Sequence, residues 1–425
     1  MSRSIRVLLC SATCSLMSSE QAVQASTDPD WQVNTESTVL SEEDRIFTNA
    51  NKIRLNTDDS ISQAFSISFM QSVRTGLAAN GAAVINRSQT MTSPSGVEVV
   101  IPSGKLPASK YDEKEYGLSV SMGYKFLDRF NSIWEVLHSR KYDQYSWGGG
   151  SFVEYHLPNK KTIVKTGVIL HYDYIEPSNG VPYELYASWD NDRILEVQKK
   201  KSVGYDVSLS HDLNSYVSFK LNYFYQHSNG YHSNPYMLIS VLDGDTSAPL
   251  VGNPYFYEKR PKKRNTNQVK LLSFLRFQTH SLTMKYQYYI DDWQVQSHSL
   301  GLFYGIEIFP RNEIQFQWEY AKQHAASFYH YYFSNMQASG VVPEDVLALD
   351  FSRISYLRDI VGNASADYQL SDFKSYTVGL AFTQYYINDQ GKFTLRFARM
   401  NQSDKRNQFA DIRTWIFQFL MLFSF

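Results

Sequence analysis

The sequence predicts an all-β chain: a transmembrane, antiparallel up-and-down β-barrel of about 14 strands, with 16 as the alternative, in the bacterial outer membrane. Three observations point there. Apolar and polar residues alternate with period two through most of the chain, the pattern of strands with two unlike faces. Every second connection is tight, while the other set holds four long loops and some shorter links, as periplasmic turns and extracellular loops do in such barrels. Aromatic residues fill 15% of the 425 positions, too many for a disordered chain. Yet no apolar run approaches the ~20 residues that a membrane-spanning helix needs. The charges balance to a net −1, which gives no electrostatic footprint for nucleic acid.

Residues 1–25 read as a secretory signal peptide. Arg3 and Arg6 supply the positive start, residues 7–17 a short apolar stretch, and Val23, Gln24 and Ala25 a cleavage site. The two cysteines, Cys10 and Cys14, both fall inside it. The expected mature chain has no thiol and depends on closed hydrogen bonding rather than disulfides. Residues 26–61 carry eight acids against Arg45, Lys52 and Arg54 and read as an acidic periplasmic lead-in or plug segment. The barrel is expected over 62–425.

Its strands are predicted at 62–74, 115–126, 130–141, 146–157, 161–175, 200–211, 213–226, 265–278, 280–290, 295–308, 311–324, 371–388, 390–400 and 411–425. Residues 45–56 and 78–86 are the places where two further strands could hide. On 161–175, for example, Val164, Thr166, Val168, Leu170 and Tyr172 face lipid, opposite Lys165, Gly167, Ile169, His171 and Asp173. The same alternation assigns Lys165, His171, Asp173, Lys220, Lys270, Arg276, Lys285, Glu307, Glu319 and Arg396 to the lumen. Both signs of charge occur there. The final strand presents Trp415, Phe417, Phe419, Phe423 and Phe425 on one face, resembling the targeting strand that the barrel-assembly machinery reads during biogenesis.

Outer-membrane lipid and lipopolysaccharide are expected partners. The basic run Lys259, Arg260, Lys262, Lys263, Arg264 would lie where lipopolysaccharide phosphates sit; a solvated loop is the plainer account. His324 and His330 with Ser327 are the nearest approach to a catalytic set, and His227 and His232 could join those histidines around a metal. Neither spacing is diagnostic, and exposed loop histidines are common. Asp243, Gly244 and Asp245 hold part of a calcium loop but lack its further ligands. No catalytic residue, metal or cofactor is therefore expected, and no enzyme.

Four segments carry a resemblance, in this order: Glu258, Arg260 and Pro261; Tyr288, Tyr289 and Asp291 followed by His298; then Gln323 with Phe328 and Tyr329; all preceded by Gly230, Tyr231 and Asn234. They are similar to motifs of a bacterial family, the domain of unknown function 3570 proteins. His324 replaces a serine and Ser327 an acid common in that pattern. The resemblance implies an outer-membrane barrel and no activity. The expected function is a pore or solute-uptake channel. The alternatives are a structural or assembly barrel that docks a periplasmic or surface partner, and an enzyme at the outer rim.

Overall fold

The computed structural model describes residues 31–57, 63–79, 89–96, 98–101, 108–127, 129–159, 161–188, 191–242, 255–334, 361–386, 391–405 and 411–424. In chain order the strands begin with β1 (Trp31–Glu42), β2 (Ile46–Thr57), β3 (Gln63–Ala79), β4 (Gln89–Thr92), β5 (Glu98–Ile101) and β6 (Ala108–Leu127). Then come β7 (Phe130–Arg140), β8 (Gln144–His156), β9 (Thr162–Ile175), β10 (Val181–Pro182), β11 (Arg193–Ile194) and β12 (Gln198–Asp212). The series continues with β13 (Val217–Gly230), β14 (Leu238–Leu242), β15 (Tyr255–Tyr257), β16 (Lys263–Phe277), β17 (His280–Asp291) and β18 (Gln296–Phe309). It ends with β19 (Asn312–His324), β20 (Tyr332–Ser334), β21 (Phe373–Tyr385), β22 (Gly391–Asp404) and β23 (Ile412–Ser424).

Sixteen of these close one antiparallel barrel in chain order, and β1 pairs with β23 to complete it. Closure is what a bilayer demands, because an open sheet edge would leave backbone groups unpaired in hydrocarbon. All fourteen expected strands are present. Residues 31–57 correct the expected lead-in or plug: they are the first two barrel strands. One of them falls on the suspected 45–56; the other is 31–42 rather than 78–86. The reason lies in their lipid faces. Thr35 and Ser37 on β1 face out beside Met421 and Phe419. Asn49 and Asn51 on β2 face out as well, so neither strand carries a full apolar stripe. The acids Glu36 and Glu42 point into the lumen. The signal-peptide segment 1–25, Phe425 and Asp243 to Asp245 lie outside the described residues.

The alternation is physical rather than formal. Leu118, Met122, Trp134, Val136, Val168, Leu170, Tyr205, Val207, Phe316, Leu380, Leu395, Phe397, Phe417 and Phe419 are exposed on the outer wall, an apolar surface that only lipid can cover without penalty. Short turns such as 278–279 and 310–311 lie on the end shared with residues 31 and 424, the periplasmic end. Connections 80–107, 176–197, 231–262 and 325–372 lie on the other end. The protein is an outer-membrane β-barrel.

The described parts of the four long connections fold together into a cap. Strands β15, β14 and β20 form one sheet although they come from two different loops. Strands β4 and β5, and β10 and β11, form hairpins beside it. The cap has cores of its own: Leu185, Ala187, Ile239, Phe256, Ala364 and Ala366 in one, Met91, Leu238, Tyr255 and Tyr257 in another. A third, with Tyr289, Trp293, Val295, Phe328, Tyr329 and Leu370, seats the cap on the strand ends.

Candidate functional site

Sixteen strands enclose a lumen too wide for wall side chains alone to fill. What occupies it therefore decides what can pass. Towards the periplasm the inward-facing Arg54, Lys125, Lys220, Arg276 and Glu307 are exposed. At the outer end the inward-facing Ser72, Ser146, Asp173, Ser228, Arg264, Ser297, Gln323 and Thr414 are all buried. Among the described residues, side chains at the lower mouth thus reach solvent, while those under the loops do not.

Two buried ion clusters tie the roof together. In the first, Arg260 is 1% exposed. Its Nε lies 2.7 Å from Glu258 Oε1, and its Nη2 donates to Asp367 Oδ2 at 2.8 Å. Glu258 also accepts from the Asn234 backbone N–H and the Ser365 hydroxyl. The Arg260 N–H donates to Ser233 Oγ at 2.9 Å, and that hydroxyl donates to Glu184 Oε1 at 2.6 Å. Two loops thus meet on one guanidinium, and a third joins them through Ser233 and Glu184. Burial opposes the Arg260 charge, but the Glu258 and Asp367 carboxylates outweigh it and raise the group above the ordinary arginine range. Burial pushes the Glu258 and Glu184 carboxyls up, with Arg260 opposing the shift at Glu258.

The second cluster joins roof to wall. Arg264 on β16 donates to Asp291 Oδ2 on β17 from Nε at 2.8 Å and Nη2 at 2.5 Å. Its guanidinium lies 4.2 Å from the Trp293 ring centroid. Tyr289 OH donates to the same carboxylate oxygen at 2.9 Å, and the Val295 N–H donates to its Oδ1. Trp293 meets His232 edge-on at 5.4 Å and Phe328 at 5.1 Å. His232 is buried, and desolvation, reinforced by Lys200, Arg264 and Arg260, pushes its imidazole down to about 3. Gln323 completes the joint, with its amide donating to the carbonyls of Gln369 and Ser371 at 2.7 and 3.1 Å.

The motif residues separate into two groups. Glu258, Arg260, Pro261, Tyr289, Asp291, Gln323, Phe328 and Tyr329 lie in the cap or at its joint with the barrel. Tyr288 and His298 instead face lipid, their rings 4.8 Å apart, with Tyr286 OH 2.8 Å from His298 Nδ1. Among barrel-strand residues, Trp415, Phe417, Phe419 and Phe423 line the lipid face.

All ten residues assigned to the lumen face it by register, but they do not form one site. Asp173 is 1% exposed and gathers Lys200 Nζ at 2.9 Å, His171 Nε2 at 2.9 Å and Ser146 Oγ at 2.6 Å. Lys165 pairs with Glu154 at 3.0 Å. At mid-height Arg396 donates to Gln317 Oε1 at 2.6 Å and Gln418 Oε1 at 2.5 Å, with Glu319 3.7 Å away and Lys285 buried nearby. Lys220 and Arg276 lie lower, where Glu307 accepts from the Arg311 N–H; Lys270 sits directly opposite Asn222 on the adjacent strand. Asp367, Ser365 and Glu184 belong to these networks without any sequence signal, since each sits in a stretch with no periodic or motif neighbours; Lys200 opens the predicted strand 200–211 but is not among the residues assigned to the lumen.

The basic run is corrected in part: Arg260 and Arg264 are sealed in ion pairs and cannot meet lipopolysaccharide, leaving Lys262 and Lys263 exposed. The histidines do not converge either. His227 faces outward, its Nδ1 2.7 Å from Asn265 Oδ1, while His232 points inward. His324 lies 3.4 Å from Asp372, and the His330 ring lies against Phe333. Among the described residues no group of three or more His, Cys, Asp or Glu is placed to hold a metal ion.

A family model described as Protein of unknown function (DUF3570) matches residues 6–415. No curated protein matches the chain. Among solved structures, a bacterial polysaccharide outer membrane secretin aligns at TM-score 0.47 and 6% identity, over 93% of this chain and 98% of that one. Pseudomonas putida OprB aligns at TM-score 0.43 and 9% identity, over 94% of each chain. Similarity at that level bears on neither cargo nor mechanism.

Proposed function

The chain belongs to the DUF3570 family, and from that premise and its fold we propose that it is a solute channel gated at its outer mouth by the loop cap. One observation carries the reading: among the described residues, the inward-facing Arg54, Lys125, Lys220, Arg276 and Glu307 near the periplasmic end are exposed, whereas Asp173, Arg264, Ser297 and Gln323 at the outer end are buried. A vestibule leads up to a roof made of folded loops rather than of wall. The roof hangs on Arg260, whose loss would strand Glu258 and Asp367 as buried, unpaired charges. Its cargo would be small and hydrophilic, since the wall offers both signs of charge.

The test is conductance in planar bilayers. The wild-type barrel should be closed most of the time, and Arg260→Met should raise the open fraction at least several-fold. Silence from both, with each inserted and folded, would remove the channel. A structural barrel is the second reading, favoured by the buried Lys285, Gln317, Arg396 and Gln418 that interlock across the middle of one wall. On that reading the lumen stays shut even when the cap is loosened.

A further inference from the structure

The lipid face is asymmetric on the wall formed by β18, β19, β21, β22, β23 and β1. Reading outward along the strands, the row Phe316, Leu380, Phe397 and Phe417 is followed by Trp318, Val378, Arg399 and Trp415. Above these come Tyr320, Tyr376, Asn401 and Arg413, then His298, Lys322, Lys374 and Ser403. Successive rows are two residues apart, about 7 Å. Apolar rings therefore give way over three rows to four cations, at the level where acyl chains give way to headgroups.

Two of those cations are cross-strand neighbours. Lys322 is registered opposite Lys374 on the lipid-facing side, and like charges placed so are mutually destabilising. No carboxylate among the described residues pairs with either. Arg399 and Arg413 share the single acid Glu43, at 3.4 and 3.6 Å. The Arg399 guanidinium also lies 4.6 Å from the Trp415 ring centroid. Beneath them an apolar depression opens on the same wall, lined by Val39, Leu380, Leu395, Phe397, Phe417 and Phe419.

We propose that this wall is a binding site for the lipopolysaccharide of the outer leaflet, its phosphates bridging Lys322, Lys374, Arg399 and Arg413 while an acyl chain lies in the depression below. A phosphate between Lys322 and Lys374 converts a repulsive pair into two charge-assisted contacts. Arg supplies the forked donors that suit phosphate oxygens. The site differs from the basic loop run, because it lies on the wall and its cations are reachable from the bilayer.

The purified full-length barrel in detergent is titrated with lipid A, with lipid A stripped of its phosphates, and with phosphatidylglycerol, and binding is read by native mass spectrometry. Wild type should hold lipid A, and both removal of the phosphates and the variant Lys322→Gln/Lys374→Gln/Arg399→Gln/Arg413→Gln should weaken binding by about tenfold or more. A control, Lys199→Gln/Lys201→Gln on the distant β12, should bind like wild type. If the fourfold variant does not fold, Lys322→Gln/Lys374→Gln alone should still weaken binding several-fold. Equal binding by the folded variant, or equal binding of phosphatidylglycerol, overturns the proposal. Conductance is not read, so the outcome is independent of the channel.

Discussion

At the scale of single residues, the cap depends on atoms that tolerate no substitution. Gly230 ends β13 with φ +128, and a Cβ there would lie 2.1 Å from the Lys199 carbonyl oxygen. Gly230→Ala should therefore cost more than about 1 kcal/mol, seen as faster hydrogen exchange in 231–237 with β13 unchanged. His232 gives the cap a pH dependence. Its folded value of about 3 lies below the ordinary 6.5, so the folded cap excludes a proton that the opened one accepts. Its contribution is complete above about pH 6.5 and fades as pH falls towards 3. Exchange in 231–237, corrected for the intrinsic rate, should rise from pH 7 to pH 4.5, and His232→Gln should flatten that rise.

At the scale of elements, legibility followed the lipid face. Wherever a strand turns a run such as Leu282, Met284, Tyr286, Tyr288 and Ile290 outward, period two is plain and the strand is found from sequence. β1 and β2 hide because Thr35, Ser37, Asn49 and Asn51 stand where apolar residues would mark the face. Their place is set by partners far away in sequence, which no local pattern reports. The backbone still needs them: deleting 31–57 would expose the edges of β3 and β23 to lipid. That deletion should abolish the heat-modifiable, compact band of the assembled barrel on gels, whereas a mere lead-in could be removed without loss.

At the scale of the whole molecule, two kinds of core coexist. The barrel turns its apolar surface outward to lipid, while the cap buries Leu185, Ile239, Phe256 and Ala364 inside itself like a soluble domain. The two should therefore fail separately. Arg260→Met should destabilise the cap by about 3–5 kcal/mol, measured by exchange across 255–262, and leave the barrel band unaltered. The candidate site was legible in the same divided way. The inner face follows from alternation, but the roof does not, because Glu258 meets Ser365 and Arg260 meets Asp367 across a long, aperiodic connection. The motif residues could be picked out in sequence; that Tyr289, Asp291, Gln323, Phe328 and Tyr329 gather at the joint while Tyr288 and His298 face lipid is a property of the closed barrel that carries them.

The pairing of β1 with β23 also bears on the order of assembly. It joins Gln32 to Ser424, almost the full length of the chain. Most other neighbours in the wall are hairpins whose ends meet early, whereas this contact must wait for every strand between. Its entropy of closure is the largest in the wall. The curved sheet of the remaining strands can thus form first with two open edges, and the seam where they zip together is the slow step. That same seam runs beside Arg413 and Trp415, so the last strands to meet would complete the lipid-facing cation cluster only when the wall is whole.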